Sequence, residues 1–416
     1  MLAPEALLAQ PIPLRQPFIF YVGHLPAFAW NQVARGLLGR PSFAAAFDEL
    51  FERGIDPLDV DRHDAATEWP PLPAVLTYRD QCREALRGAI ADVSARAGAD
   101  VLADRGRIFS LVLEHERMHH ETLLYMVQQL AADRKRKPSD WPAPRLGRGA
   151  PSTRITVPQG EVTLGAAFDA LPFGWDNEFP EQRADVPAFA IDSCPVTNGA
   201  WAAFAEAGGY ETRRFWTDED WEWKERADVR APAFWAGTPG RWRCRGLFDE
   251  WPLETVEDWP VYVSAAEARA YAASRDARLP TEAEFHRAAF GAPEGRERSF
   301  PWGEAAPAAA HGNFGGREGG PAPVGTYPEG ASAWGVHELT GNGWEWTSTP
   351  FAPFPGFTPY VRTYAGYSQD FFDGRHLVLK GASWATDDVF VRRSFRNWFQ
   401  PHYPYVFAKF RCVWPA

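Results

Sequence analysis

The sequence predicts an α+β protein made of two unlike domains, a helical one followed by a loop-rich mixed one, and three observations carry this. From about residue 28 to 132, apolar residues recur at three- and four-residue spacing in segments rich in Ala, Leu, Glu and Arg. Beyond about residue 155 the pattern changes to short apolar stretches broken by Gly, Pro and Asn. Of the 19 Trp residues, only Trp30 and Trp69 precede residue 141. At roughly 150 residues per domain, a chain of 416 has room for two to three domains.

Taken in order, FAWNQVARGLLG, FAAAFDELFERG, YRDQCREALRGAIADVSARAG and DRGRIFSLVLEHERMHHETLLYMVQQLAADRK read as four helices, and therefore as a bundle over residues 1–135. Residues 136–155 are basic at first, then rich in Pro, Gly and Ser without apolar periodicity, and read as a linker. Residues 156–416 form the second domain. There ITVPQGEVTLG, PAFAIDSCPVTN, WPVYVS and HLVLKGASW read as strands, and residues 197–208 and 264–277 as helices. Long irregular stretches remain, and their tryptophans are the natural means of tying them down.

Composition excludes several classes of function. A net charge of −11 argues against nucleic acid as a partner, and the single basic run, Arg134-Lys135-Arg136-Lys137, is too short to reverse this. No apolar stretch reaches the roughly 18 residues of a membrane span. The first residues lack the cationic start and continuous apolar stretch of a secretion signal, so a cytoplasmic location is expected. Cys82, Cys194, Cys244 and Cys412 show no CxxC spacing and read as reduced structural thiols.

The chemistry-bearing feature is LVLEHERMHHETLLYM. On a helix, His115 and His119 project from one face a turn apart, a spacing that suits two ligands of one metal ion. His120 points about 100° away. A third ligand must come from elsewhere, and His24 and His63 are the candidates in this half of the chain. His24 lies among apolar residues in FIFYVGHLPAFAW, where a polar ring needs a partner; His63 lies in the charged stretch DVDRHDAATEW. His24 is the better choice. Three neutral imidazoles leave the ion its full charge and favour an anionic ligand such as a thiolate or selenolate. Spacing alone leaves zinc and Fe(II) both open.

The C-terminal half carries VTLGAAFD, FPEQRADVPAFAIDSCPVTNGAWAAF, WPVYVSAAEARAYAASRDARLPTEAEFHRAAFG, PWG, GVHELTGNGWEWTST, LVLKGASWAT and FAKFRCVW in that order. This string resembles the formylglycine-generating-enzyme (C-type-lectin-like) fold. The founding enzymes use a cysteine pair whose first member follows the GGSW-like motif; here GASWATDDVFVRRSF has Thr386 and no cysteine, so that chemistry is not expected. The N-terminal half resembles the DinB-like four-helix bundle. The fusion is that of the EgtB-type sulfoxide synthases of ergothioneine biosynthesis, with PLRQPFIFYVGHLPAF and HHETLLYM most like fungal ergothioneine synthases, and selenoneine synthases share the architecture.

The resemblance implies a nonheme Fe(II) enzyme, with His24, His115 and His119 as metal ligands and the active site in the interdomain cleft. It further implies O2-dependent coupling of a sulfur or selenium donor to C2 of the imidazole of hercynine, the betaine of histidine. In the family a Tyr from the loop before the GGSW-like motif supplies a proton. In FPGFTPYVRTYAGYSQDFFDG that residue is Tyr360 by position, then Tyr364, with Tyr367 also present. Asn397 and Trp398 match a pair that contacts hercynine, and their types suit a carboxylate and a quaternary ammonium. Two departures shape the donor and the pocket. Where users of gamma-glutamylcysteine have an Asp and, four residues later, an Arg, this chain has Phe399 and Tyr403, which favours free cysteine or a selenium sugar. Met118 replaces a Gln found in some relatives before the second helix histidine, so the hercynine contacts differ there. The rival readings are a zinc-dependent DinB-type thiol transferase and a non-catalytic, lectin-like binding protein.

Overall fold

The computed structural model describes residues 1–52 and 68–416, so His63 lies outside the described residues. The chain divides into two compact units, one of Met1–Pro138 with Thr358–Ala365, the other of Ser139–Phe357 with Gly366–Ala416.

The first unit is helical. Helix α1 spans Phe18–Ala29 and runs into a π-helical stretch, Trp30–Leu37; α2 (Ala45–Glu52), α3 (Leu72–Arg87), α4 (Ile90–Ser94) and α5 (Arg107–Gln128) follow. The first helix therefore begins well before the predicted start near residue 28. Phe18, Ile19, Phe20, Tyr21, Gly23 and His24 are all buried, so this run has almost no polar face to reveal a helical period. The long third segment breaks at Gly88 into α3 and α4. Asp48 ties the helices together from a buried position: its carboxylate accepts from Tyr78 Oη at 2.6 Å and from Trp30 Nε1 at 3.2 Å. Such a charge is tolerable only because donors surround it.

The segment Thr358–Ala365, far away in sequence, belongs to this unit. Val361 is fully buried, and Tyr360 packs against an apolar cluster that includes Val33, Leu37, Val93, Leu102 and Ile108.

The second unit is a set of small sheets held by buried polar and aromatic side chains. Strands β1 (Arg154–Val157), β2 (Gly160–Leu164), β3 (Gln182–Val186) and β4 (Phe189–Asp192) precede α6 (Asn198–Glu206) and α7 (Asp218–Arg226). Then come β5 (Trp235–Ala236), β6 (Arg243–Arg245), β7 (Glu250–Pro252), α8 (Ala265–Ser274) and α9 (Glu282–Phe290). The chain ends with β8 (Gly343–Pro350), α10 (Gly366–Gln369), β9 (Leu377–Ala382), β10 (Asn397–Phe399), β11 (Ala408–Lys409) and β12 (Val413–Pro415). The sheet orders are β1-β4-β12, β2-β3, β5-β6-β7 and β10-β9-β8-β11.

The predicted helices are α6 and α8; α7 and α9 were not anticipated. WPVYVS is no strand: Pro260 makes an isolated bridge to Thr197, and the amides of Val261 and Val263 donate to Val196 and Ala408. Complete burial explains its apolar character without a ladder. Part of the stretch read as a linker is fastened along this unit, with Arg145 O accepting from Trp259 Nε1 at 2.8 Å and Ala150 N donating to Val324 O at 2.8 Å. Tryptophans do tie loops to the core: Trp346 Nε1 donates to Val263 O at 2.9 Å and Trp334 Nε1 to Arg287 O at 3.0 Å. At the centre, Arg411 and Glu345 form a fully buried two-point ion pair, with Lys409 Nζ 3.7 Å from the same carboxylate. The four cysteines are free and buried. Among the described residues, no helix is long and apolar enough to cross a membrane.

Candidate metal centre

Within the helical unit, α1 and α5 bring His24, His115 and His119 together. The ring centroids lie 5.1 Å (His24–His115), 5.0 Å (His24–His119) and 4.5 Å (His115–His119) apart. One nitrogen from each ring lies within 4.8 Å of the other two, and all three residues are buried. Among the described residues this is the one group of three or more His, Cys, Asp or Glu side chains so arranged.

The three rings fit a divalent cation better than they fit each other. His24 Nδ1 donates to the carbonyl of Phe51 at 2.7 Å, which leaves the lone pair on Nε2, and Nε2 has no hydrogen-bond partner. His115 and His119 face each other through Nε2 at 3.2 Å, where only one of two neutral rings can donate; His119 Nδ1 also lacks a partner. Ligand nitrogens about 2.0–2.1 Å from one ion stand at about this separation. Burial also holds the rings neutral, the form that binds metal. It pushes His24 down to about 4, against a smaller upward pull from its bond to Phe51. His115 and His119 lie well below the ordinary histidine range because of burial, and the neighbouring histidines add to this.

Aromatic rings brace the cluster. Phe20 stacks on His24 with centroids 4.7 Å apart and planes at 21°, and Phe28 stacks on His115 at 3.4 Å and 7°. Tyr21 stands 5.5 Å from His119. Sequence reasoning missed these supports, although the i, i+4, i+8 spacing of Phe20, His24 and Phe28 was a usable signal. Gly23 matters for the same reason: a Cβ there would sit 2.4 Å from the Phe51 ring, so glycine lets α2 bring the Phe51 carbonyl to His24.

The tyrosines separate. Tyr364 lies edge-on to Phe28 at 5.0 Å and to His115 at 6.1 Å, whereas Tyr360 packs into the apolar cluster of this unit. Tyr367 belongs to the second unit, stacked on Trp175 at 3.8 Å. Met118 is partly buried on α5, one residue before His119, and His120 is exposed.

The remaining predicted site residues lie in the second unit. Asn397 and Trp398 are on β10, paired with β9; Asn397 Oδ1 accepts from the Trp398 amide at 2.9 Å. Trp398 stacks on Phe351 at 4.2 Å and 8°, with Tyr367 edge-on at 5.1 Å. Phe399 and Tyr403 stack on each other at 5.4 Å and 7°, an aromatic pair where an acid and a base would stand in users of gamma-glutamylcysteine.

A histidine-bearing helical domain joined to a small-sheet, loop-rich domain is the class of protein these features define. Residues 1–123 match the DinB superfamily and residues 143–416 the sulfatase-modifying factor enzyme 1-like domain. The chain is 38% identical over 409 residues to hercynine oxygenase of Mycolicibacterium thermoresistibile, covering 97% of this chain and 88% of that one. It is 37% identical over 411 residues to hercynine oxygenase of Mycobacterium tuberculosis, covering 98% and 93%. Ergothioneine biosynthesis protein 1 of Neurospora crassa is 31% identical over 510 residues, covering 99% of this chain and 55% of that protein. The chain belongs to the hercynine oxygenase family.

Proposed function

We propose that the protein is a nonheme Fe(II) enzyme that uses O2 to couple a sulfur or selenium donor to C2 of the imidazole of hercynine, in ergothioneine or selenoneine biosynthesis. The observation that carries the reading is the buried three-histidine cluster, in a chain that shares most of its length with proteins named hercynine oxygenase. For a thiol donor the balance is RSH plus the C2–H of hercynine plus O2, giving the C2 sulfoxide and water: one C–S, one S–O and two O–H bonds form, the S–H, C–H and O–O bonds break, and O2 takes up the four electrons.

His24, His115 and His119 would hold the ion, which supplies the redox chemistry with O2 and a soft acceptor for the donor anion. The chain's own groups do the rest. Phe20 and Phe28 fix the planes of two ligand rings, and the Phe51 carbonyl fixes the His24 tautomer. Tyr364 is our choice as the proton donor, ahead of Tyr360, because its ring stands against His115 while Tyr360 serves the apolar core. Asn397 and Trp398 are assigned to the carboxylate and the ammonium of the betaine, with Met118 beside the imidazole. Phe399 and Tyr403 present no charge to a dipeptide donor, which favours cysteine or a selenium sugar.

The test offers hercynine with cysteine, a selenium sugar or gamma-glutamylcysteine to protein loaded with Fe(II) or Zn(II). Oxygen-dependent product with iron and one of the first two donors is expected. Turnover without O2 in the zinc form would favour the thiol-transferase reading instead.

A further inference from the structure

The stretch that follows α1 is a π-helix, Trp30–Leu37, and two of its residues, the buried Gln32 and the exposed Gly36, meet a segment more than three hundred residues away. Helices with five-residue hydrogen bonds are rare and cost packing quality, so a full eight-residue stretch needs a reason. Each residue added to an α-helical turn rotates everything after it by about 100°. Pro26, inside α1, contributes no amide to the ladder just before the π stretch begins.

Two contacts show what this re-aimed surface does. The Gln32 side chain is buried, and its Nε2 donates to the carbonyl of Thr363 at 3.1 Å. Gly36 faces the same residue: a Cβ there would lie 2.6 Å from Thr363 Cγ2 and 3.1 Å from Asn31 O. Only glycine lets the segment come this close. Thr363 immediately precedes Tyr364, and the turn Arg362–Tyr364 is closed by the Tyr364 amide donating to Val361 O at 3.0 Å. Earlier in the segment, Val361 is fully buried and Tyr360 packs against the apolar cluster. Arg362 pairs with Asp100 at 2.9 Å while its side chain is 66% exposed, where an ion pair is worth little.

We propose that Gln32 and Gly36, presented by the π-helical stretch, are positioning residues that hold the Thr358–Ala365 segment so that Tyr364 stands beside Phe28 and His115. They act through the Thr363 backbone and side chain. The inference rests on the proposed role of Tyr364 for its catalytic consequence, while the placement itself is a separate matter.

Gln32→Met keeps the length of the side chain and removes the donor; Gly36→Val fills the space that Thr363 uses. Both are made in the full-length protein carrying a single 3-fluorotyrosine at position 364, and Fe(II) affinity is measured by chelator competition. Each variant is expected to move the fluorine resonance of position 364 toward its solvent value, because the ring leaves the edge of Phe28, and to leave Fe(II) affinity within about twofold. Turnover should fall at least about tenfold in kcat with little change in KM, as expected when a reacting group is displaced by an ångström or less. In a Tyr364→Phe background the same substitutions should cost nothing further. An unmoved resonance, or a kcat loss that adds in full to that of Tyr364→Phe, overturns the proposal. If the unsubstituted protein makes no coupled product, the proposed function fails, and the fluorine resonance alone decides whether Gln32 and Gly36 position Tyr364.

Discussion

Phe28 lies flat on His115, with ring centroids 3.4 Å apart and planes 7° from parallel. The stack fixes the imidazole plane without offering a competing donor or acceptor. Removing it frees the ring to turn. Phe28→Leu should retain the fold and weaken Fe(II) binding by about tenfold, the lower end of what lost outer-shell support costs. Chelator competition on the purified variant measures this, and unchanged affinity would mean that the stack is packing alone.

Gly23→Ala tests the support of His24. The added methyl would stand 2.4 Å from the Phe51 ring, so α2 must shift and take the Phe51 carbonyl from His24 Nδ1. Overpacking of this kind costs about 1–3 kcal/mol. A lowered melting temperature together with weakened Fe(II) affinity is expected. The paired substitution Phe51→Leu in the same chain should recover part of both.

The fully buried pair Arg411–Glu345 belongs to the scaffold of the second unit. Glu345→Gln leaves a buried guanidinium short of its counter-charge, at a cost of about 3–5 kcal/mol. Thermal unfolding should show the loss, while Fe(II) affinity at the histidines of the first unit stays unchanged.

Asp220 supplies a pH dependence. Burial alone would raise its carboxyl, but the bonds from His402 at 2.8 Å and from Arg269 at 2.6 and 3.0 Å prevail and hold it far below the ordinary carboxylate range. A depressed folded value means that this contribution to stability is complete above the unfolded carboxylate value, near 4, and is lost as pH falls below it. Denaturant midpoints between pH 6 and pH 2 should fall less steeply in Asp220→Asn than in the unsubstituted protein. Equal slopes would contradict the assignment.

Much of this was legible in the sequence, for identifiable reasons. The HxxxH spacing of His115 and His119 states its own geometry once a helix is assumed, and α5 supplies that helix. His24 is legible because an imidazole among apolar residues needs a partner, and its Nε2 has no hydrogen-bond partner within a cluster whose ligand nitrogens lie within 4.8 Å of one another. What resisted reading was non-local. The start of α1 was hidden because burial on every side erases periodicity, and WPVYVS imitated a strand for the same reason. The excursion of Thr358–Ala365 into the helical unit has no local signature, so position in the loop favoured Tyr360, while packing brings Tyr364 to His115. The π-helical stretch had none either, because its residues suit an ordinary helix.

The central claim is tested most directly by mass spectrometry of a single reaction. Hercynine, O2 and either cysteine or a selenium sugar are added to anaerobically Fe(II)-loaded protein, beside the same protein carrying His119→Ala. A product in which the donor atom is bonded to C2 of hercynine, formed only with O2 and absent from the His119→Ala reaction, is the predicted result. The same product from the variant in equal yield, or no coupled product from the Fe(II)-loaded protein with either donor, would contradict it.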